Sequence, residues 1–144
     1  MGRENSDEAY VLALCDSVLN EVGLRQHKFD WLRGDASETG RQVRLPVDGY
    51  WPKANLVVEY REMQHFRPVR HFDKPERLTV SGVHRGLQRA LYDARREELI
   101  PQNGLRLVII TPQDLASDSR GRLQRKRDQD LHAVKRLLDA RAID

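Results

Sequence analysis

Apolar residues at Tyr10, Val11, Leu14, Cys15, Val18, Leu19 and Val22 recur at helical spacing and predict a helix from Ser6 to Val22. Ser6 is its N-cap, Asp7 and Glu8 sit in the first turn, and Gly23 is the stop. Leu24 to Leu32 reads as a strand with Phe29 and Trp31 on one side. A polar loop, Gly34 to Gly40, follows. Arg44 to Tyr50 sets Leu45, Val47 and Gly49 against Arg44, Pro46 and Asp48, which is the period of a strand. Trp51 to Asn55 is a turn, and Leu56 to Arg61 carries the strongest signal of a buried strand in the chain. Three strands separated by turns predict an antiparallel meander.

From Glu62 to Gly82 the pattern is broken by Pro68, Pro75 and Gly82, which predicts a long loop. A helix follows from Val83 to Leu99, with Leu87, Ala90, Leu91, Ala94 and Leu99 inward and Pro101 and Gly104 closing it. Leu105 to Ile110 is a further buried strand, and Leu123 to Ala142 a helix with Leu131, Val134, Leu137 and Leu138 on one face. The order α, three strands, loop, α, strand, α predicts one α/β domain over residues 1–144, built on a mixed sheet. Its core spans about 6–115, and a C-terminal helical segment covers about 120–142.

The 144 residues suit one domain, and 39% hydrophobic content is enough for one core. No apolar run approaches the roughly 18 residues of a membrane span, and the polar N-terminus argues against a signal peptide. A cytoplasmic protein with no membrane association is the expectation. The single cysteine, Cys15, excludes an internal disulfide and a cysteine-rich zinc site. Net charge is +3 but unevenly spread: residues 1–60 hold 7 Lys/Arg against 10 Asp/Glu, residues 61–144 hold 18 against 12. Twenty of the basic residues are arginine, whose planar fork suits phosphate, although a GC-rich genome would also favour it.

The stretch Leu45 to His65 is where chemistry concentrates. Asp48 and Glu59, with ten residues between them across a short turn, can come side by side on neighbouring strands. Glu59 and Arg61 project from one face of theirs. An acid beside Leu56, Val57 and Val58 is costly to bury without a partner or a metal, and two converging carboxylates suit Mg²⁺. A plain ion pair of Glu59 with Arg61 is the competing reading. Glu21 falls inside the apolar stripe of the first helix, as either a frayed last-turn residue or a group aimed at a site.

Pro46-Val47-Asp48 followed by Glu59-Tyr60-Arg61 resembles the PD-(D/E)xK nuclease superfamily, the restriction-endonuclease-like fold. A residue intervenes between Pro and Asp, and Arg61 stands where the family has lysine. Gln64-His65, and later Asp93 to Arg96, Leu99, Gly104 and Val108-Ile109, are similar to the small bacterial branch related to very-short-patch repair endonucleases. The resemblance covers roughly residues 6 to 115 and implies a three-layer α/β/α fold with a central mixed sheet.

It further implies a metal-dependent DNA endonuclease that leaves a 5′-phosphate. Asp48 and Glu59 would bind Mg²⁺ or Mn²⁺, with Glu21 joining directly or through water. Arg61 would occupy the place of the lysine; always protonated, it can stabilise charge but not act as a base. His65 could be the base or hold a water, Gln64 could contact phosphate or water, and Glu62 is a minor candidate. The alternative is a catalytically inactive fold that binds nucleic acid or a protein.

Arg85, Arg89, Arg95 and Arg96 form one candidate phosphate-tracking set, and Arg120, Arg122, Arg125, Lys126 and Arg127 a second. The second also reads as a solvated helix face. Tyr50, Trp51 and Tyr60 could stack on a splayed base, with packing as the plainer role. His27, His71 and His132 have no partner spacing, and His65 with His84 makes no zinc pattern. So small a domain would cut as a homodimer or nick one strand.

Overall fold

A computed structural model describes residues 6–62 and 85–139. Most of the predicted loop from Glu62 to Gly82, with Gln64, His65 and His71, lies outside the described residues, as do Val83 and His84 at the predicted start of the next helix. The elements run α1 (Asp7–Leu19), β1 (Leu24–Arg33), β2 (Arg44–Trp51), β3 (Leu56–Tyr60), α2 (Arg85–Gln102), β4 (Arg106–Ile110) and α3 (Arg127–Asp139).

The sheet order is β1-β2-β3-β4. The first three strands form the antiparallel meander, and β4 joins β3 in parallel from Leu56↔Arg106 to Tyr60↔Ile110. Parallel pairing requires a crossover, which α2 supplies. Helices cover both faces. On one side Val11, Leu14 and Cys15 of α1 and Val134 and Leu138 of α3 pack on Trp51, Leu56, Val58 and Ile110. On the other, Leu32, Leu45, Val47 and Val57 meet Ile100 of α2. All five residues of β3 are buried, because it is a central strand with helices on both faces. Each fully buried aliphatic side chain there is worth roughly 1.5–3 kcal/mol.

Ser6 caps α1, its hydroxyl accepting from the Ala9 N–H at 3.0 Å. The helix ends a turn before Val22 because Asn20 adopts the left-handed conformation, φ +53°, and donates its N–H to the Asp16 carbonyl. Val22 is consequently 82% exposed. Trp51 closes β2 rather than opening the turn, and it is fully buried. Its indole N–H donates to Asp16 Oδ1 at 2.9 Å and to the Glu21 carbonyl at 3.0 Å. The ring needs glycine beside it: a Cβ on Gly23 would lie 2.4 Å from the indole, and one on Gly49 2.6 Å.

Helix α2 differs most from its predicted face. Leu99 packs inward with Tyr92 and Ile100, whereas Leu87, Ala90, Leu91 and Ala94 are exposed. The face that meets the sheet carries Asp93, Arg96 and Ile100, spaced three and four apart. Its first two groups point at Glu59 of β3 and at Arg61 just after it, as described below. Pro101 lies in the last turn of the helix, and Gly104, φ +80°, turns the chain into β4.

Helix α3 begins at Arg127, four residues later than predicted. Ser117 and Leu123 pair across a turn instead, and Arg125 adopts φ +54°. Asp130 is fully buried and accepts the Tyr10 hydroxyl and the Ala116 N–H, tying α3 to α1 and to the segment after β4. Among the described residues no helix is long and apolar enough to cross a membrane.

Candidate functional site

Strands β2 and β3 pair through Trp51↔Leu56, Tyr50↔Val57 and Gly49↔Val58. The next two residues are Asp48 and Glu59, and there side chains replace the backbone ladder. The Asp48 N–H donates to Glu59 Oε2 at 2.8 Å, and the Tyr60 N–H donates to Asp48 Oδ2 at 2.8 Å. Each carboxylate therefore takes a main-chain proton from the other's strand. The bonds satisfy amides that would otherwise be orphaned, and they hold the two acids side by side.

Glu59 is 4% exposed, and Asp48 is half-buried. Burial, then the neighbouring Asp48 charge, pushes the Glu59 carboxyl up to about 7 from an ordinary 4.5. Asp48 is also raised, by burial, against the pull of the Tyr60 N–H, Arg96, Gln26 and Arg61.

The cations come from Arg61, the residue after β3, and from α2. Arg61, 2% exposed, places Nη1 2.7 Å from Glu97 Oε2, and Nη2 3.8 Å from Asp93 Oδ1 and 3.9 Å from Glu59 Oε1. Arg96 bonds Asp93 Oδ1 at 3.0 Å and the Pro46 carbonyl at 3.1 Å, with Nε 3.8 Å from Glu59 Oε1. Four carboxylates (Asp48, Glu59, Asp93, Glu97) thus face two guanidinium groups. When all are ionised the cluster is two negative charges in excess, which a divalent cation or bound protons would offset. The Arg61 Nε–H is buried with no partner among the described residues.

Gln26 and Glu8 join this site although their residue types carried no signal. Gln26 lies in β1 opposite Asp48, between the pairs Arg25↔Gly49 and His27↔Val47, and takes φ +50°. Left-handed backbone in a strand bends the chain locally and re-aims the side chain. Its amide donates to Glu8 Oε2 at 3.0 Å and also hydrogen-bonds Asp48, lowering that carboxyl's pKa. A carboxylate of the first turn of α1 is thereby linked to the acid pair. Glu8, Gln26 and Arg25 line a cavity of about 620 Å³ between α1 and β1, with Glu62 at its border.

Glu21 sits elsewhere. With α1 ending at Leu19, it leaves the helical stripe, and its carboxylate accepts the Lys53 N–H at 3.1 Å in the turn after β2. The structure brings Asp48, Glu59 and Arg61 together, with Gln26 beside Asp48 and Glu8 bonded to Gln26, while Glu21 lies apart. Gln64 and His65 lie outside the described residues.

The predicted phosphate-tracking residues divide. Arg85 and Arg89 are exposed on the first turns of α2. Arg95 is tied to Asp35 at 2.8 Å, and Arg96 belongs to the acid cluster. Arg125 pairs with Asp7 at 2.9 Å and stands over the Tyr10 ring. Lys126 is exposed, and Arg127 reaches the Ser17 hydroxyl at 3.4 Å. Lys126 precedes α3 with Arg125, so the second set follows a loop more than a helix face.

Among the described residues no group of three or more His, Cys, Asp or Glu side chains converges as a ready-made metal cage. The donor set is instead two hard carboxylates, the kind Mg²⁺ shares with water and phosphate. The chain matches no protein-family model, and no curated protein or solved structure matches it significantly.

Proposed function

We propose that the protein is a metal-dependent DNA endonuclease of the PD-(D/E)xK, restriction-endonuclease-like type. The observation that carries the reading is the reciprocal bonding of Asp48 and Glu59 at the point where the β2–β3 ladder ends. It leaves Asp48 Oδ1 and Glu59 Oε1 to hold Mg²⁺ or Mn²⁺, and the excess of negative charge suits a dication. When bound, the ion would polarise the phosphoryl oxygen and lower the pKa of a water.

The chain's own groups do the rest. Gln26 orients Asp48 and couples it to Glu8. Arg61 and Arg96 hold positive charge beside Glu59, where it opposes charge growing on the phosphate. Because Arg61 cannot accept a proton, the base must be another group.

One observation favours a second reading, an inactive fold that binds nucleic acid: the Arg61 guanidinium is already bonded to Glu97 and close to Asp93. A plasmid-nicking assay separates the two. The nuclease reading expects nicking with Mg²⁺ or Mn²⁺, none in chelator, and none from Asp48→Asn. Equal cutting in excess chelator would refute the metal chemistry; DNA binding without cutting in any metal would leave the second reading standing.

A further inference from the structure

Strand β1 is an edge of the sheet, and its alternate residues His27, Phe29 and Trp31 form one row of rings with Tyr50 of β2. Phe29 is the hub. Its ring lies 4.5 Å from Trp31, stacked at 18°, and edge-on to His27 at 4.7 Å and to Tyr50 at 4.9 Å. His27 and Tyr50 close the group at 5.1 Å. Phe29, Trp31 and Tyr50 roof the second core, on the face that α2 alone covers among the described residues. None of the four rings is fully buried. Trp51 is sealed in the first core and Tyr60 is 6% exposed, so of the aromatic residues expected to meet a base only Tyr50 is accessible.

An indole or phenol that fills a core normally has its polar tip paired. Trp51 does, through Asp16 and Glu21, and the Tyr92 hydroxyl accepts the Asp35 N–H at 2.9 Å. The Trp31 indole N–H and the Tyr50 hydroxyl have no hydrogen-bond partner among the described residues, and the Trp31 ring meets no ring but Phe29. Tyr50 and Asp48 are two residues apart in β2, so the row leads from the sheet edge to the acid pair on one face. The exposed charges beside it are Lys28, Arg33 and Arg44, against one acid, Asp30, which Arg33 and Arg44 share.

Half-exposed rings with surplus cations around them suit a chain of nucleotides whose bases stack on the rings while its phosphates meet the cations. A duplex keeps its bases stacked on one another and cannot use the rings. We infer that the aromatic row of β1 and β2 binds single-stranded DNA beside the acid pair, which makes unpaired DNA the substrate class of that site. The choice of occupant rests on the nuclease reading; the arrangement of rings and charges does not.

Fluorescence measurements on the full chain in chelator, where binding is read without cleavage, test it. We expect a short labelled single strand to bind about tenfold or more tighter than the same strand annealed to its complement, and to quench Trp31 emission. Trp51 is fully buried and should not respond. Trp31→Leu keeps apolar bulk over the core and removes the stacking surface. It should weaken single-strand binding about tenfold and abolish the quench, with duplex binding and melting temperature held, while Trp31→Phe should restore most of the affinity. Equal or tighter binding of duplex, no quench in the wild type, or single-strand affinity unmoved in a folded Trp31→Leu would overturn the inference. The two readings fail separately. Single-strand binding that Trp31→Leu weakens, with no cutting in any metal, would uphold the row and refute the nuclease. Metal-dependent cutting of duplex that Trp31→Leu performs as well as the wild type would uphold the nuclease and refute the row.

Discussion

Replacing Glu59 by glutamine should make the metal-free protein more stable at neutral pH. The folded Glu59 carboxyl titrates near 7, against 4.5 for an ordinary glutamate. Its folded pKa is raised, so between those values the native state holds more protons than the unfolded chain. Stability from this group is complete below pH 4.5 and is lost as pH rises through 7. Two and a half units at 1.36 kcal/mol each is about 3 kcal/mol. Asp48, raised by the same burial, adds in the same sense. Glutamine stays neutral, and its carbonyl oxygen can still accept the Asp48 N–H, while Arg61 keeps Glu97 and Asp93. Urea unfolding of both proteins at intervals from pH 4.5 to 8, in chelator, reads the difference. The two curves should diverge with rising pH, the variant becoming more stable by on the order of 2–3 kcal/mol at pH 8. Added Mg²⁺ should then stabilise the wild type and not the variant. Parallel curves would show that Glu59 titrates normally and that the buried, crowded carboxylate pair is misdescribed.

Arg61→Ala leaves Glu97, Asp93 and Glu59 without the buried guanidinium and should destabilise by about 3–5 kcal/mol in thermal or urea unfolding. Arg61→Lys should cost less and keep or raise any nicking activity, because it restores the residue usual in the resembled family; unchanged stability in the alanine variant would make the ion cluster irrelevant. Asp130→Ala removes the acceptor for the Tyr10 hydroxyl and the Ala116 N–H and should cost about 2–4 kcal/mol by urea unfolding. Changing Arg125, Lys126 and Arg127 together to alanine should flatten the salt dependence of DNA binding by up to about two units. Three would be lost if all touched phosphate, but Arg125 is paired with Asp7. Binding indifferent to salt would dismiss the electrostatic grip.

The meander, the two buried strands and the three helices were legible from periodicity, because Leu56 to Tyr60 and Arg106 to Ile110 are too apolar to lie anywhere but the centre of a sheet. Asp48, Glu59 and Arg61 were legible for a related reason. Ionisable groups inside such a run are costly, so their presence already implies partners. The end of α1 was not legible: Asn20 and Gly23 are both acceptable stops, and Asn20's left-handed turn decided between them. That choice removed Glu21 from the stripe that had implicated it.

Tertiary structure alone decided what surrounds the acids. A helix of mixed composition such as α2 has no unique apolar face. It turned Asp93, Arg96 and Ile100 to the sheet because Arg61 and Glu59 were there to be neutralised. Gln26 reaches Asp48, and is itself bonded to Glu8, because it takes a left-handed conformation in β1, and a backbone bend at glutamine has no local sequence signature. Local pattern fixes which elements form and which charges must be buried. Which charges meet depends on register and on where each helix ends, and those are settled only when all the layers pack at once.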